Sequence, residues 1–229
     1  MSDPRLICAL DLPSADEART LTERLGDAVE FYKVGLQLFA TDGMALARHL
    51  KADGKQVFLD WKLHDIGATV EKAAAAIAQA DCGDFLTVHA EPQVLAAAVR
   101  GRGSSGVKIL GVTVLTSLGP ADIAEIGYES GMESLIERRI RQTLDAGADG
   151  VIASPHEAAL ARRIGGPDFL VVTPGVRPAW SGKDDQARAA TPADALRNGA
   201  SHLVCGRPIT AAEDPRAAAL AVVEEMAAA

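Results

Sequence analysis

Phe58-Leu59-Asp60-Trp61-Lys62-Leu63-His64-Asp65-Ile66 places three full charges in what otherwise reads as a buried strand. Side chains alternate between the two faces of a strand, so Phe58, Asp60 and Lys62 share one face and Leu59, Trp61 and Leu63 the other. A charge taken out of water is paired, changes its protonation, or is not buried at all. A carboxylate beside an ammonium on an inward face, with Asp65 three residues beyond Lys62, therefore points to chemistry. The plain alternative is a solvated strand end or a structural ion pair.

Outward from this strand the chain alternates short apolar runs with longer amphipathic ones. Strands are predicted over 5–11, 30–36, 56–63, 85–90, 108–115, 150–154, 169–174 and 202–206. Helices are predicted over 14–25, 43–51, 70–80, 92–100, 132–146, 155–164, 192–197 and 215–228. Ser14 and Glu17 form a capping box, and Pro92, Pro155 and Pro192 stand where a first helical turn tolerates proline. Gly26, Gly54, Gly147 and Gly199 fall just past helix ends, where a left-handed residue is wanted. Eight strands alternating with eight helices make a (β/α)8 TIM barrel, read as a single domain over 1–229. A doubly wound open sheet is the competing arrangement. Two loops, 116–131 and 175–190, break the rhythm, and loops after strands carry the sites of barrel enzymes.

The net charge of −8 and pI near 5.1 give no support for binding nucleic acid or an anionic membrane surface. Cys8, Cys82 and Cys205 are odd in number and lack Cys-x-x-Cys spacing, so they are expected to be buried free thiols. The run Leu6-Ile7-Cys8-Ala9-Leu10 is too short for a signal core or a membrane span, which predicts a cytoplasmic protein.

The alternation argument extends to neighbouring strands. Asp11 shares a face with Ile7 and Ala9, and Lys33 with Phe31 and Gly35. Asp11, Lys33, Asp60 and Lys62 then converge near the C-terminal ends of three adjacent strands, with Asp65 from the following loop. Four such charges on adjacent strands predict a functional site. Cys205-Gly206-Arg207-Pro208 follows the last strand, where barrels frequently bind phosphate through backbone N–H groups and a cation. Gly101-Arg102-Gly103-Ser104-Ser105-Gly106 matches a dinucleotide fingerprint in letters only, because it follows a helix and precedes a strand; it reads as a flexible loop. The histidines show no metal-ligand spacing, and His89 is read as a hydrogen-bonded structural residue or an inward-facing one. No metal ligand set and no cofactor motif is found.

The ordered set of motifs resembles the orotidine 5'-monophosphate decarboxylase family over essentially the whole chain. Asp60-Trp61-Lys62-Leu63-His64-Asp65-Ile66 is similar to its Asp-x-Lys-x-x-Asp signature. Leu10-Asp11, Lys33-Val34-Gly35 and Leu115-Thr116-Ser117 match its strand ends. Thr173-Pro174-Gly175-Val176-Arg177-Pro178 with Asp185-Gln186 matches its lid, and Gly206-Arg207-Pro208 its phosphate grip. The sequence departs from the commonest form at Gly67-Ala68, where a proline-containing pair is frequent.

The resemblance implies a homodimer with two shared sites, each taking Asp65 and Thr69 from the partner subunit. It implies that Lys62 protonates carbon 6 of the pyrimidine, flanked by Asp60 and the partner's Asp65, with Lys33 completing the array. Asp11, Lys33 and Thr69 would hold the ribose, and Thr116 and Ser117 the base. Gln186 would bridge base and phosphate, and Pro174, Arg177, Gly206 and Arg207 would serve the lid and phosphate. Decarboxylation at carbon 6 leaves an electron pair without a carbonyl sink, so such an enzyme relies on a preorganised ammonium. A magnesium-dependent sugar-phosphate decarboxylase or synthase shares the Asp-x-Lys-x-x-Asp core, but that resemblance implies Glu in place of Lys33. A catalytically silent nucleotide-binding barrel would not need the poised ammonium.

Overall fold

The computed structural model describes residues 1–181 and 190–229. Eight parallel strands close in chain order into a barrel. They are β1 (Leu6–Ala9), β2 (Phe31–Gly35), β3 (Gln56–Leu63), β4 (Phe85–His89), β5 (Lys108–Val112), β6 (Gly150–Ile152), β7 (Leu170–Thr173) and β8 (His202–Cys205). The pairing of β8 with β1 excludes the open doubly wound sheet.

The outer layer is built from α1 (Ala15–Leu25), α2 (Leu36–Phe39), α3 (Gly43–Ala52), α4 (Gly67–Ala80), α5 (Pro92–Arg102) and α6 (Pro120–Glu125). It continues with α7 (Gly131–Asp145), α8 (Ala158–Gly165), α9 (Pro192–Arg197), α10 (Arg207–Thr210) and α11 (Pro215–Met226). Ser14 caps α1 by accepting from Glu17 N–H, as the capping box predicts. Gly26, Gly54, Gly147 and Gly199 all take positive φ past helix ends. No described helix is long and apolar enough to cross a membrane.

Several boundaries differ from the sequence reading, each for a local reason. The strands end short of the predicted 11, 115 and 174, because the last residues of each run leave the ladder to line a cavity at the barrel mouth. Pro155 lies in a turn that precedes α8, whose helical bonding begins at Ala158. The predicted loop at Gly101 is instead the last turn of α5. A Cβ there would stand 2.2 Å from the Glu71 carbonyl oxygen, so glycine is what lets α5 lie against α4. The short α2, α6 and α10 have too few residues to show a helical period.

The barrel interior is packed by Ile7, Ala9, Phe31, Phe58, Phe85, Leu110, Val172 and Val204. Phe31 and Phe85 meet edge to face at 4.9 Å between centroids, and Phe85 meets His202 at 5.2 Å. Burial among these rings pushes the His202 imidazole down to about 4. Polar groups at the strand starts are consumed structurally: Asp84 accepts from Val57 N–H and Lys51, and Asp149 from Ile109 N–H and Arg102. Cys8, Cys82 and Cys205 are buried free thiols, as expected.

Candidate active site

The C-terminal mouth of the barrel opens into a cavity of about 580 Å³. Asp11, Lys33, Asp60 and Lys62 line it, as the alternation on three strands predicts. Lys33 Nζ lies 2.8 Å from Asp11 Oδ1 and 3.4 Å from Asp60 Oδ2, and Lys62 Nζ lies 2.8 Å from Asp60 Oδ1. The result is a continuous chain of alternating charge, Asp11, Lys33, Asp60, Lys62. Burial opposes charge on Lys33, yet Asp60 and Asp11 hold its ammonium above its usual range. Burial likewise opposes charge on Asp60, yet Lys33 and Lys62 keep its carboxyl below the usual range. Both groups are therefore ionised at neutral pH.

Local backbone makes this possible. Pairing between β3 and β4 shifts register between Leu59 and Leu63, and Lys62 takes φ of 48°. A left-handed conformation at a residue with a long side chain costs on the order of 1–2 kcal/mol, and such strain collects at functional sites. Thr87 on β4 holds the irregularity: its Oγ1 accepts from Lys62 N–H at 2.9 Å and donates to Asp60 Oδ1 at 3.0 Å. Gly35 is equally specific. A Cβ there would come within 2.6 Å of Asp11 Oδ1 and 2.9 Å of Lys33 Nζ, so any side chain at this position would have to displace that ion pair.

On the far side, Thr116, Pro174, Gly175, Arg177, Gly206, Arg207 and Thr210 line the same cavity. Arg177 is almost fully buried, whereas Arg207 is exposed at the start of α10. Arg177 and Arg207 therefore lie on the β7–β8 side of the cavity, and the charge chain lies on the β1–β3 side.

Asp65, Thr69 and Ser117 do not line this cavity. Asp65 is exposed, and its Oδ1 accepts from Ile66 N–H at 2.6 Å. Thr69 is exposed in the first turn of α4, which begins at Gly67 and so includes the Gly67-Ala68 pair. Gln186 lies outside the described residues. Thr87 and Gly35 were missed as site residues, although alternation along 85–90 puts Thr87 on the inward face with Phe85. The fold also gathers His64, His89 and Glu91, which no sequence spacing connects.

The family model described as orotidine 5'-phosphate decarboxylase / HUMPS family matches residues 4–222. Orotidine 5'-phosphate decarboxylase of Caulobacter sp. (strain K31) is 71% identical, over 99% of this chain and 98% of that one. The enzyme of the same name from Caulobacter vibrioides (strain NA1000 / CB15N) is 67% identical over the same shares. Among solved structures, orotidine 5'-phosphate decarboxylase from Lactobacillus acidophilus superimposes with a TM-score of 0.85 at 37% identity, covering 98% of this chain and 99% of that one.

Proposed function

The chain belongs to the orotidine 5'-phosphate decarboxylase / HUMPS family, and from that premise we infer that it converts orotidine 5'-monophosphate to uridine 5'-monophosphate and CO2, the last step of pyrimidine nucleotide synthesis. The observation that carries this reading is the Asp11–Lys33–Asp60–Lys62 chain at the mouth of the barrel. The C6–carboxylate bond breaks, its electron pair stays on C6, and Lys62 delivers a proton there. The ammonium stands where negative charge develops, and the fixed ions around it need no reorganisation during the reaction. Asp60 repels the departing carboxylate and fixes Lys62. Asp11 and Lys33 hold the ribose hydroxyls, and Thr116, which lines the cavity where Ser117 does not, meets the base.

The phosphate is assigned to Gly206 and Arg207, with Pro174 and Arg177 beside them, and the family resemblance assigns Gln186 to bridge base and phosphate. Its binding energy is remote from the reacting bond and can be used to position the base. Asp65 and Thr69 are assigned to the neighbouring site of a homodimer. That neither lines the cavity of its own chain, and that Ile66 between them is exposed, supports that assignment. The three buried free thiols are in keeping with a reducing cytoplasmic compartment.

Lys33 also separates this reading from a magnesium-dependent relative, because an ammonium at that position opposes a nearby dication. The test is incubation of purified protein with orotidine 5'-monophosphate in the presence of chelator. Loss of the orotate absorbance with formation of uridine 5'-monophosphate is expected. Tight binding without any spectral change would overturn the assignment, and turnover only on adding magnesium would favour the metal-dependent relative.

A further inference from the structure

We propose that His64, His89 and Glu91 form a binding site for a borderline transition-metal ion, Zn2+ or Co2+, beside the charge chain and separate from it. One ligand atom from each lies within 4.8 Å of the others. His64 follows the end of β3, His89 ends β4, and Glu91 caps α5, so three anchored elements present the donors. The two imidazoles lie 4.9 Å apart between centroids with 33° between their planes. Glu91 Oε2 is buried without a hydrogen-bond partner and stands 3.7 Å from His64 Nε2. A buried carboxylate oxygen left unbonded is costly, and a cation between it and the rings would satisfy it.

Two histidines and a glutamate are a donor set that zinc uses, with bonds of about 2.0–2.2 Å. Ligand atoms around one such ion stand no more than roughly 4 Å apart, so a small rotation of the exposed His64 ring closes the site. The outer partner is already present. Arg139 holds Glu91 Oε1 at 3.2 Å, and it is fixed in turn by the Thr113 carbonyl oxygen and the Tyr128 hydroxyl. Groups of this kind orient a ligating carboxylate from behind. Arg139 also decides the class of ion. It offsets much of the charge on Glu91, so a hard cation held by charge alone gains little. An ion that bonds well to neutral imidazole gains more.

The site is independent of the decarboxylase reading, because its readout is the metal's own signal. The chelator-stripped full chain is titrated with Co2+, followed by its visible d–d absorbance, and with Zn2+ by calorimetry. Saturation at one ion per chain is expected. His64→Ala, His89→Ala and Glu91→Gln should each weaken binding by about tenfold or more. His49→Ala, at a surface pair with Asp53, should leave it unchanged. His64 is exposed in the single chain and adjoins Asp65, so the dimeric state of its variant is verified alongside the titration. Absence of saturable binding, or wild-type affinity in the His64→Ala and His89→Ala variants, would overturn the proposal.

Discussion

At the scale of single residues, the reactive arrangement depends on neutral side chains as much as on charged ones. Thr87 bonds both the strained Lys62 backbone and the Asp60 carboxylate from a fully buried position. Thr87→Val removes both bonds with little change in volume. It should lower stability by about 1–3 kcal/mol, and kcat on the order of tenfold with little effect on KM, because the geometry around Lys62 loosens. Thr87→Ser should restore most of kcat. Unfolding curves and steady-state kinetics check both, and an unchanged kcat in the valine variant would remove Thr87 from the positioning of Lys62. The charged residues were legible in the sequence because strand alternation exposes misplaced charge. Thr87 was not, since threonine is at home on any strand and signals nothing by itself.

At the scale of elements, glycines and caps record contacts that periodicity does not. The alternation of strands and helices, the Ser14 cap and the positive-φ glycines were all readable in the chain. The end of α5 was misread, because a glycine inside a helix resembles a terminator until its neighbour is known. Gly101 faces Glu71 and Ala74 of α4 at distances that admit no side chain. Gly101→Ala gains about 1 kcal/mol of helix propensity, but overpacking of this kind costs typically 1–3 kcal/mol and here meets rigid backbone. Because the obstructing atom is backbone, the upper end of that cost applies, and a net loss of roughly 2 kcal/mol in urea unfolding is expected. A variant as stable as the parent would show that α4 and α5 can separate freely. The short α2, α6 and α10 escaped prediction because one helical turn has no measurable period.

At the scale of the whole molecule, the two ends of the barrel divide the labour. Carboxylates at the strand starts, Asp84 and Asp149, are consumed by strand N–H groups and basic partners. Those at the strand ends stay together in the open cavity. This is the usual polarity of a barrel enzyme, with stability at one face and chemistry at the other. What the strand pattern alone does not reveal is which of the clustered charges line the cavity. Asp65 follows Lys62 by three residues, yet it turns to cap Ile66 N–H and does not line the cavity. The assignment of Asp65 to a partner's site is our proposal and rests on the family resemblance, not on the strand pattern.

The most direct test mixes two inactive variants, Lys62→Ala and Asp65→Ala, each first confirmed to be folded. Alone, each should lose at least about a thousandfold in turnover of orotidine 5'-monophosphate. After equal mixing and subunit exchange, half of the dimers are mixed. Each mixed dimer holds one intact site, from the Lys62 of one chain and the Asp65 of the other. About one quarter of wild-type turnover should therefore return. A mixture as inactive as its two components, with exchange verified, would contradict a site shared between subunits around Lys62.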